Sequence, residues 1–291
     1  MNDQQHSLVI AIGFLVAYDY DMLRVSLPRV YNEATKIVLA VDRQRLTYTG
    51  KAFSIDPSFY QWLQSFDTQS KVEWLEGDFF NPNLTPMQNE IAERNVLLAR
   101  MQPADWYIQL DVDEYFVDFA GFVHYLRNLQ ATGPTTVSVQ WKTIYKQDSR
   151  GYYIITGHTE RVGVATNRPL NLAARHHPEN VEIAAPYNMV HHSWGRTEAQ
   201  VRQKIFNWSH AGDFDPENFL RRWRNCNRLT WRFYKNFHPI HPWIWTYLQY
   251  VPATSQDLLL DKLSSFLEKE ANHTLADLAN RVSNRIQRLW H

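Results

Sequence analysis

Trp106-Tyr107-Ile108-Gln109-Leu110-Asp111-Val112-Asp113-Glu114-Tyr115-Phe116 starts as an apolar strand and runs straight into three acids within four residues. Before it, Thr85-Pro86-Met87-Gln88 carries a helix-start signal: a capping Thr, a Pro suited to the first turn, and a Gln to close a capping box. The spacing predicts a helix to about Met101, with Met87, Ile91 and Leu98 on its buried stripe. Further upstream, the apolar runs 8–16, 36–41 and 71–75 read as buried strands, with helices over 20–31 and 59–66 between them. Pro28 then has to fall near the end of the first helix. This β-α-β-α-β-α-β order predicts an α/β fold with a mostly parallel, Rossmann-like sheet flanked by helices. Asp19, Asp42, Asp78 and Asp111 stand at or just beyond the strand ends, the edge where such sheets bind ligands.

Downstream, a helix near 118–130 is followed by strands at 136–141 and 152–156, the second closing a hairpin at Gly151. Residues 181–194 read as extended, and Thr197 with Gln200 starts another capped helix. A boundary at 213–216 divides the chain into a catalytic domain, 1–215, and an extension, 216–291, expected to be helical, basic and aromatic. From Asn218 to Gln256 there are no acids, but Arg221, Arg222, Arg224, Arg228, Arg232 and Lys235 alternate with Trp223, Trp231, Trp243 and Trp245. That pattern fits either packing on the core or peripheral contact with an anionic membrane.

The 291 residues hold 30 Lys plus Arg against 30 Asp plus Glu, so overall charge does not point to a nucleic-acid partner. The single cysteine, Cys226, rules out an internal disulfide and any cysteine-based zinc site. Leu8–Val16 is too short for a signal peptide, and no stretch has the length of a membrane span. The expected location is cytoplasmic, with any membrane contact peripheral at the inner face.

Two carboxylates two residues apart after a buried strand offer hard oxygen ligands to Mn²⁺ or Mg²⁺. The segment ending Asp111-Val112-Asp113-Glu114-Tyr115-Phe116, the helix with Glu90, Arg94 and Asn95, Asp42, and a later His before Arg196-Thr197 together resemble GT-A-fold glycosyltransferases of the family 2-like group. The resemblance spans about residues 8–215. It implies a nucleotide-sugar donor, a UDP-sugar by analogy, and a saccharide or lipid-linked acceptor, as in polysaccharide biosynthesis. It also implies a metal held by Asp111, Asp113 and His192, with Asp42, Glu90, Arg94 and Asp111 on the donor and Glu114 in support. Arg196, Arg202 and Lys204 are candidates for the diphosphate. An inverting reaction needs a carboxylate to take the acceptor's proton, and among Asp148, Glu160, Glu182 and Glu198 the choice is Glu160, just after a strand. The alternatives are a non-catalytic carbohydrate- or lipid-binding protein and a nucleotidyltransferase. The latter calls for a Gly-rich basic loop after the first strand, where this chain has only Gly13. An Asp-x-Asp phosphatase would carry its motif on the first strand instead of the fourth.

Overall fold

A computed structural model describes residues 8–157, 160–207 and 214–264. His158 and Thr159 beside Glu160, Asp213 at the expected boundary, and residues 265–291 of the extension lie outside the described residues. Strands β1 (Ile10–Val16), β2 (Lys36–Asp42), β3 (Val72–Gly77) and β4 (Trp106–Asp111) are parallel, in the spatial order β4-β1-β2-β3. Helices α1 (Leu23–Val30), α2 (Pro57–Phe66) and α3 (Pro86–Met101) connect them. Pro28 lies in the last turn of α1.

The two faces of β1 bury different partners because side chains alternate along a strand. Ile10, Ile12, Phe14 and Val16 join Leu23, Leu27 and Val30 of α1 and Phe59 of α2 in the largest apolar cluster. On the other face, Ala11 with Val38 and Ala40 of β2 packs on Leu97, Leu98 and Met101 of α3. Gly13 lets α3 approach: a Cβ there would lie 2.7 Å from both Leu97 Cδ2 and Met101 Sδ. Gly13 is therefore a packing residue of the strand.

The capping box of α3 forms, with Gln88 N donating to Thr85 Oγ1 (3.2 Å) and Thr85 N to Gln88 Oε1 (2.8 Å). The buried stripe differs from the expected one. Met87 and Ile91 are only partly covered, whereas Asn89, Glu93 and Arg94 are buried alongside Leu97, Leu98 and Met101. A polar half-stripe facing inward requires polar partners. Asn89 finds Asn81 beyond β3, Glu93 the Tyr48 hydroxyl beyond β2, and Arg94 the Asp111 carboxylate at the end of β4.

The second half adds β5 (Glu114–Phe116), α4 (Phe119–Asn128), β6 (Thr135–Asp148), β7 (Gly151–Thr156), β8 (Arg161–Thr166), β9 (Val181–His191), α5 (Glu198–Asn207), α6 (Pro216–Asn225) and β10 (Tyr247–Pro252). Strand β8 lies antiparallel to β4, and β6, β7 and β10 continue the sheet outward. The strand expected at 136–141 runs on to Asp148 and forms the hairpin with β7. The last three residues of the acidic segment are themselves a short strand: β5 pairs antiparallel with β9, setting Glu114 opposite His191.

The extension is not wholly helical. After α6 it returns to the sheet as β10, where Leu248 and Val251 are buried against β7. Aromatic and β-branched residues in alternation favour that pairing. Trp223 and Trp245 are packed in an apolar cluster with Tyr145, Trp194 and Phe219, while Trp243 is exposed. No helix among the described residues is long and apolar enough to cross a membrane.

Ile108, in the strand between β1 and β8, is fully buried. Ile108→Ala is expected to cost about 2–5 kcal/mol through lost burial and the cavity left behind, measured as a lower urea midpoint with an unchanged slope.

Candidate functional site

A cavity of about 710 Å³ opens at the carboxyl ends of β1, β2 and β4. Its floor includes Asp19, Asp42, Asp111 and Asp113, and its walls include Glu90, Arg94, Glu160, Arg175, His191 and Lys204. Asp78, although also beyond a strand end, is exposed and faces Arg43, at 3.4 Å. His238, Ile240, His241 and Trp245 from the extension complete the far wall, a contribution with no signature in the sequence.

The acidic segment is held by cations. Asp111 Oδ1 accepts from Arg94 Nη2 (2.7 Å), and its Oδ2 faces Arg175 Nη2 (2.9 Å). Arg94 is 2 % exposed and also donates from Nε to Glu90 Oε1 (3.0 Å), so the Glu90–Arg94 pair is a buried bridge to the acidic segment. Arg175 Nη1 lies 2.8 Å from Glu114 Oε2, which accepts the Asp111 backbone N–H (2.9 Å). Glu114 thus braces the turn from inside. Asp113 Oδ2 takes Lys204 Nζ (2.7 Å) and Arg196 Nη2, and Arg196 also reaches Asp19 Oδ2 (2.8 Å). Arg202, the third diphosphate candidate, points away and pairs with Glu217 at 3.1 Å.

Arg175 was missed in the sequence because it sits in an irregular loop between β8 and β9. The loop is tied down by Asn171, whose Nδ2 donates to Gln109 Oε1 (3.0 Å) on β4 and whose backbone exchanges two hydrogen bonds with Asn95 on α3. The amide side chains of Asn171 in the loop, Gln109 on β4 and Asn95 on α3 were the available signal.

Asp42 is placed at the site, but its carboxylate is spent on the backbone. Oδ1 accepts from Gln44 N (2.9 Å) and Leu46 N (3.0 Å), and Oδ2 from Phe79 N (2.9 Å) and Phe80 N (3.1 Å). It joins the loops after β2 and β3, which shape one wall of the cavity. The donor contact expected of it would have to displace one of these bonds.

The histidines exchange places relative to the sequence expectation. His192 Nε2 donates to Gly195 O (2.6 Å) and its Nδ1 takes the Tyr115 hydroxyl (3.0 Å), so both ring nitrogens are engaged away from the acids. His191 is the one at the site, with Nε2 3.8 Å from Asp113 Oδ1 and its ring stacked on Trp141. The cause is strand alternation: adjacent residues at the end of β9 point to opposite sides.

Burial and charge set the protonation pattern. Burial alone would raise the Asp111 carboxyl, but the Arg175 and Arg94 charges hold it below the ordinary range. Lys204 and Arg196 outweigh burial in the same way at Asp113. Burial pushes Glu114 up to about 7 against the pull of Arg175, and pushes Glu93 up to about 8 beside the Tyr48 hydroxyl that donates to it (2.6 Å). Burial lowers His191 to about 3 and His192 to about 4, helped at His192 by the Arg196 charge, so both imidazoles are neutral at physiological pH.

Asp111 and Asp113 with neutral His191 are donors of the right chemistry for Mn²⁺ or Mg²⁺. Even so, no group of three or more His, Cys, Asp or Glu among the described residues is arranged to hold a metal ion. Protein cations occupy the carboxylates instead.

No family model and no curated protein matches the sequence. Among solved structures, the chain is similar to S. aureus TarS (10 % identity, 48 % of this chain and 38 % of that one, TM-score 0.34). It is also similar to GalNAc-T7 determined with UDP, GalNAc and Mn²⁺ (13 % identity, 78 % and 56 %, TM-score 0.40). A third similar structure is mannose-1-phosphate geranyltransferase from Thermus thermophilus (10 % identity, 75 % and 65 %, TM-score 0.26). The chain spans less than two thirds of each of these proteins. Likenesses this distant assign neither activity nor substrate.

The raised carboxyls give the fold a pH signature. A buried carboxyl whose folded pKa exceeds its unfolded value of 4.5 stabilises fully below pH 4.5, and that contribution is lost as pH rises through the folded pKa. The lowered histidines act oppositely, but only below their unfolded value of 6.5. Stability should therefore fall between pH 6.5 and about 8, by about 1.4 kcal/mol per pH unit for each group still protonated in the fold. Glu93→Gln should flatten that decline, read from urea midpoints across the range; an unchanged slope would show that Glu93 is ionised in the fold.

Proposed function

We propose that this chain is a glycosyltransferase that moves a sugar from a nucleotide-sugar donor to a hydroxyl of a saccharide or glycolipid acceptor. One observation carries the reading. Asp111 and Asp113 stand at the carboxyl edge of a parallel sheet, inside a cavity they share with Arg94, Arg175 and Lys204, with Arg196 behind Asp113. A space of about 710 Å³ lies within the usual range for small-molecule sites. Parallel strands feeding an acidic turn, followed by antiparallel strands, also agree with the GT-A-like fold implied by the sequence resemblance.

In this reading the guanidinium forks of Arg94 and Arg175 orient the donor's phosphate oxygens, two at a time. Glu114 holds Arg175 and the Asp111 backbone in register. A divalent ion, when bound by Asp111, Asp113 and His191, supplies Lewis-acid stabilisation of the departing diphosphate. Glu160, on the cavity wall, takes the acceptor's proton. The extension's wall, with His238, His241 and Trp245, narrows the acceptor side and keeps bulk water from the donor. The nucleotidyltransferase alternative is weakened because the segment after β1 brings in Tyr18 and Asp19 where a phosphate loop would stand, and Gly13 serves helix packing.

A thermal-shift panel of nucleotide sugars with Mn²⁺ should show at least one stabilising donor, since a ligand that binds only the folded state raises its stability. With that donor, Asp113→Asn should lower turnover by about 100-fold or more, the scale of losing one electrostatic element of a transition-state site. Unchanged turnover in the folded variant would remove Asp113 from the reaction and the proposal with it.

A further inference from the structure

The site's ion pairs are nearly closed on themselves. Five carboxylates meet four cations in two adjoining groups that together form the site's ionic network: Glu90, Asp111 and Glu114 with Arg94 and Arg175, and Asp19 and Asp113 with Arg196 and Lys204. With every carboxyl ionised, Glu114 included, the two groups together have one negative charge in excess. A divalent cation entering alone would reverse that sign while competing with the cations already on Asp111 and Asp113. A diphosphate diester entering alone would deepen the excess to about three. Entering together, the two are neutral and leave the balance as it was.

The network also holds unused capacity for a new anionic partner. Arg94 Nη1 is buried without a hydrogen-bond partner, and Arg175 Nη1, 2.8 Å from Glu114, lacks a well-directed hydrogen bond. Both arginines line the cavity. An unmet buried donor on a guanidinium is costly unless a ligand completes it. Lys204 is the cation best able to change partners: its charge is compact and its stem flexible, and it reaches Asp113 from α5 across the cavity wall.

We propose that this site binds the divalent cation and the donor diphosphate only as a pair, through an exchange of ion partners. Resting on the glycosyltransferase reading above, the exchange passes Arg94, Arg175 and Lys204 from the carboxylates to phosphate oxygens, which frees Asp111 and Asp113 for the cation. The protein's own cations therefore act as a lock against metal without nucleotide.

Mn²⁺ binding followed by electron paramagnetic resonance, with and without UDP or GDP, tests this without turnover. The wild type should bind Mn²⁺ alone weakly, and the cognate diphosphate should tighten it by about 10-fold or more, with Mn²⁺ tightening the diphosphate by the same factor. Lys204→Met, close in volume, should tighten Mn²⁺ alone by about 10-fold and shrink the coupling, whereas Lys204→Arg, which retains the charge, should leave Mn²⁺ alone weak; circular dichroism confirms that each variant is folded. Equal Mn²⁺ affinity with and without a diphosphate that does bind would overturn the exchange and leave the glycosyltransferase reading standing. So would a folded Lys204→Met with unaltered affinity for Mn²⁺ alone. Failure of nucleotide sugars and both diphosphates to bind under any condition would overturn both.

Discussion

Asp113 is almost wholly buried between Lys204 and Arg196, and neither the carboxylate nor the two cations could be buried there without the others. Removing one member of such a group leaves an uncompensated charge in a poorly solvated space, a loss of about 3–5 kcal/mol in comparable cases. This constraint reaches far along the chain. It draws α5 against the end of β4, brings Arg196 over Asp19 after β1, and through Arg94 and Arg175 fastens α3 and the loop before β9 to the same turn. Elements from both halves of the sheet therefore meet at one set of carboxylates. Apolar burial forms the layers, but this network decides how their edges line up.

A network of this kind is not explained by stability alone. Buried ion pairs generally contribute little compared with apolar residues of the same volume. Here the pairing is also incomplete: Glu114 Oε1, behind the turn, and Nη1 of Arg94, a residue that lines the cavity, are buried without hydrogen-bond partners. Unmet polar atoms beside an open cavity are what a site leaves for a ligand that carries charge of its own. The raised carboxyls of Glu93 and Glu114 follow from the same crowding, since burial there exceeds what the neighbouring cations can offset.

The parallel half of the sheet was legible because its strands are near-continuous apolar runs and its helices carry local start signals. Thr85 with Gln88, and Thr197 with Gln200, form the capping bonds that their spacing announces. Asp111, Asp113, Glu90 and Arg94 were legible as a group because they flank one strand and one helix. Arg175 was not, since only a long-range fold brings an irregular loop against β4. The choice between His191 and His192 turned on the register of β9 against β5, which no local pattern reports. Asp42 illustrates the reverse difficulty. Its position at a strand end suggested a ligand contact, yet four backbone N–H groups from two loops satisfy it, and neither loop advertises that need in its residues.

The extension shows how composition and placement diverge. Its tryptophans and arginines left open packing on the core or contact with an anionic membrane, and Trp223 and Trp245 are packed on the core. Trp223 turns inward and donates from Nε1 to the carbonyls of Tyr145 (2.9 Å) and Trp194 (3.1 Å), bonds that an indole at a lipid surface would not make. Arg224 pairs with Glu198 on α5, and the carbonyls ending α6 converge on Lys146 of β6. These contacts fasten α6 to the sheet and to α5, the helix that carries Lys204. The segment that follows then supplies His238, His241 and Trp245 to the cavity wall before β10 closes the sheet edge. The extension is therefore a structural part of the site. A change at the α6–β6 contact would reach Asp113 through α5 and Lys204 without touching any residue of the acidic turn itself.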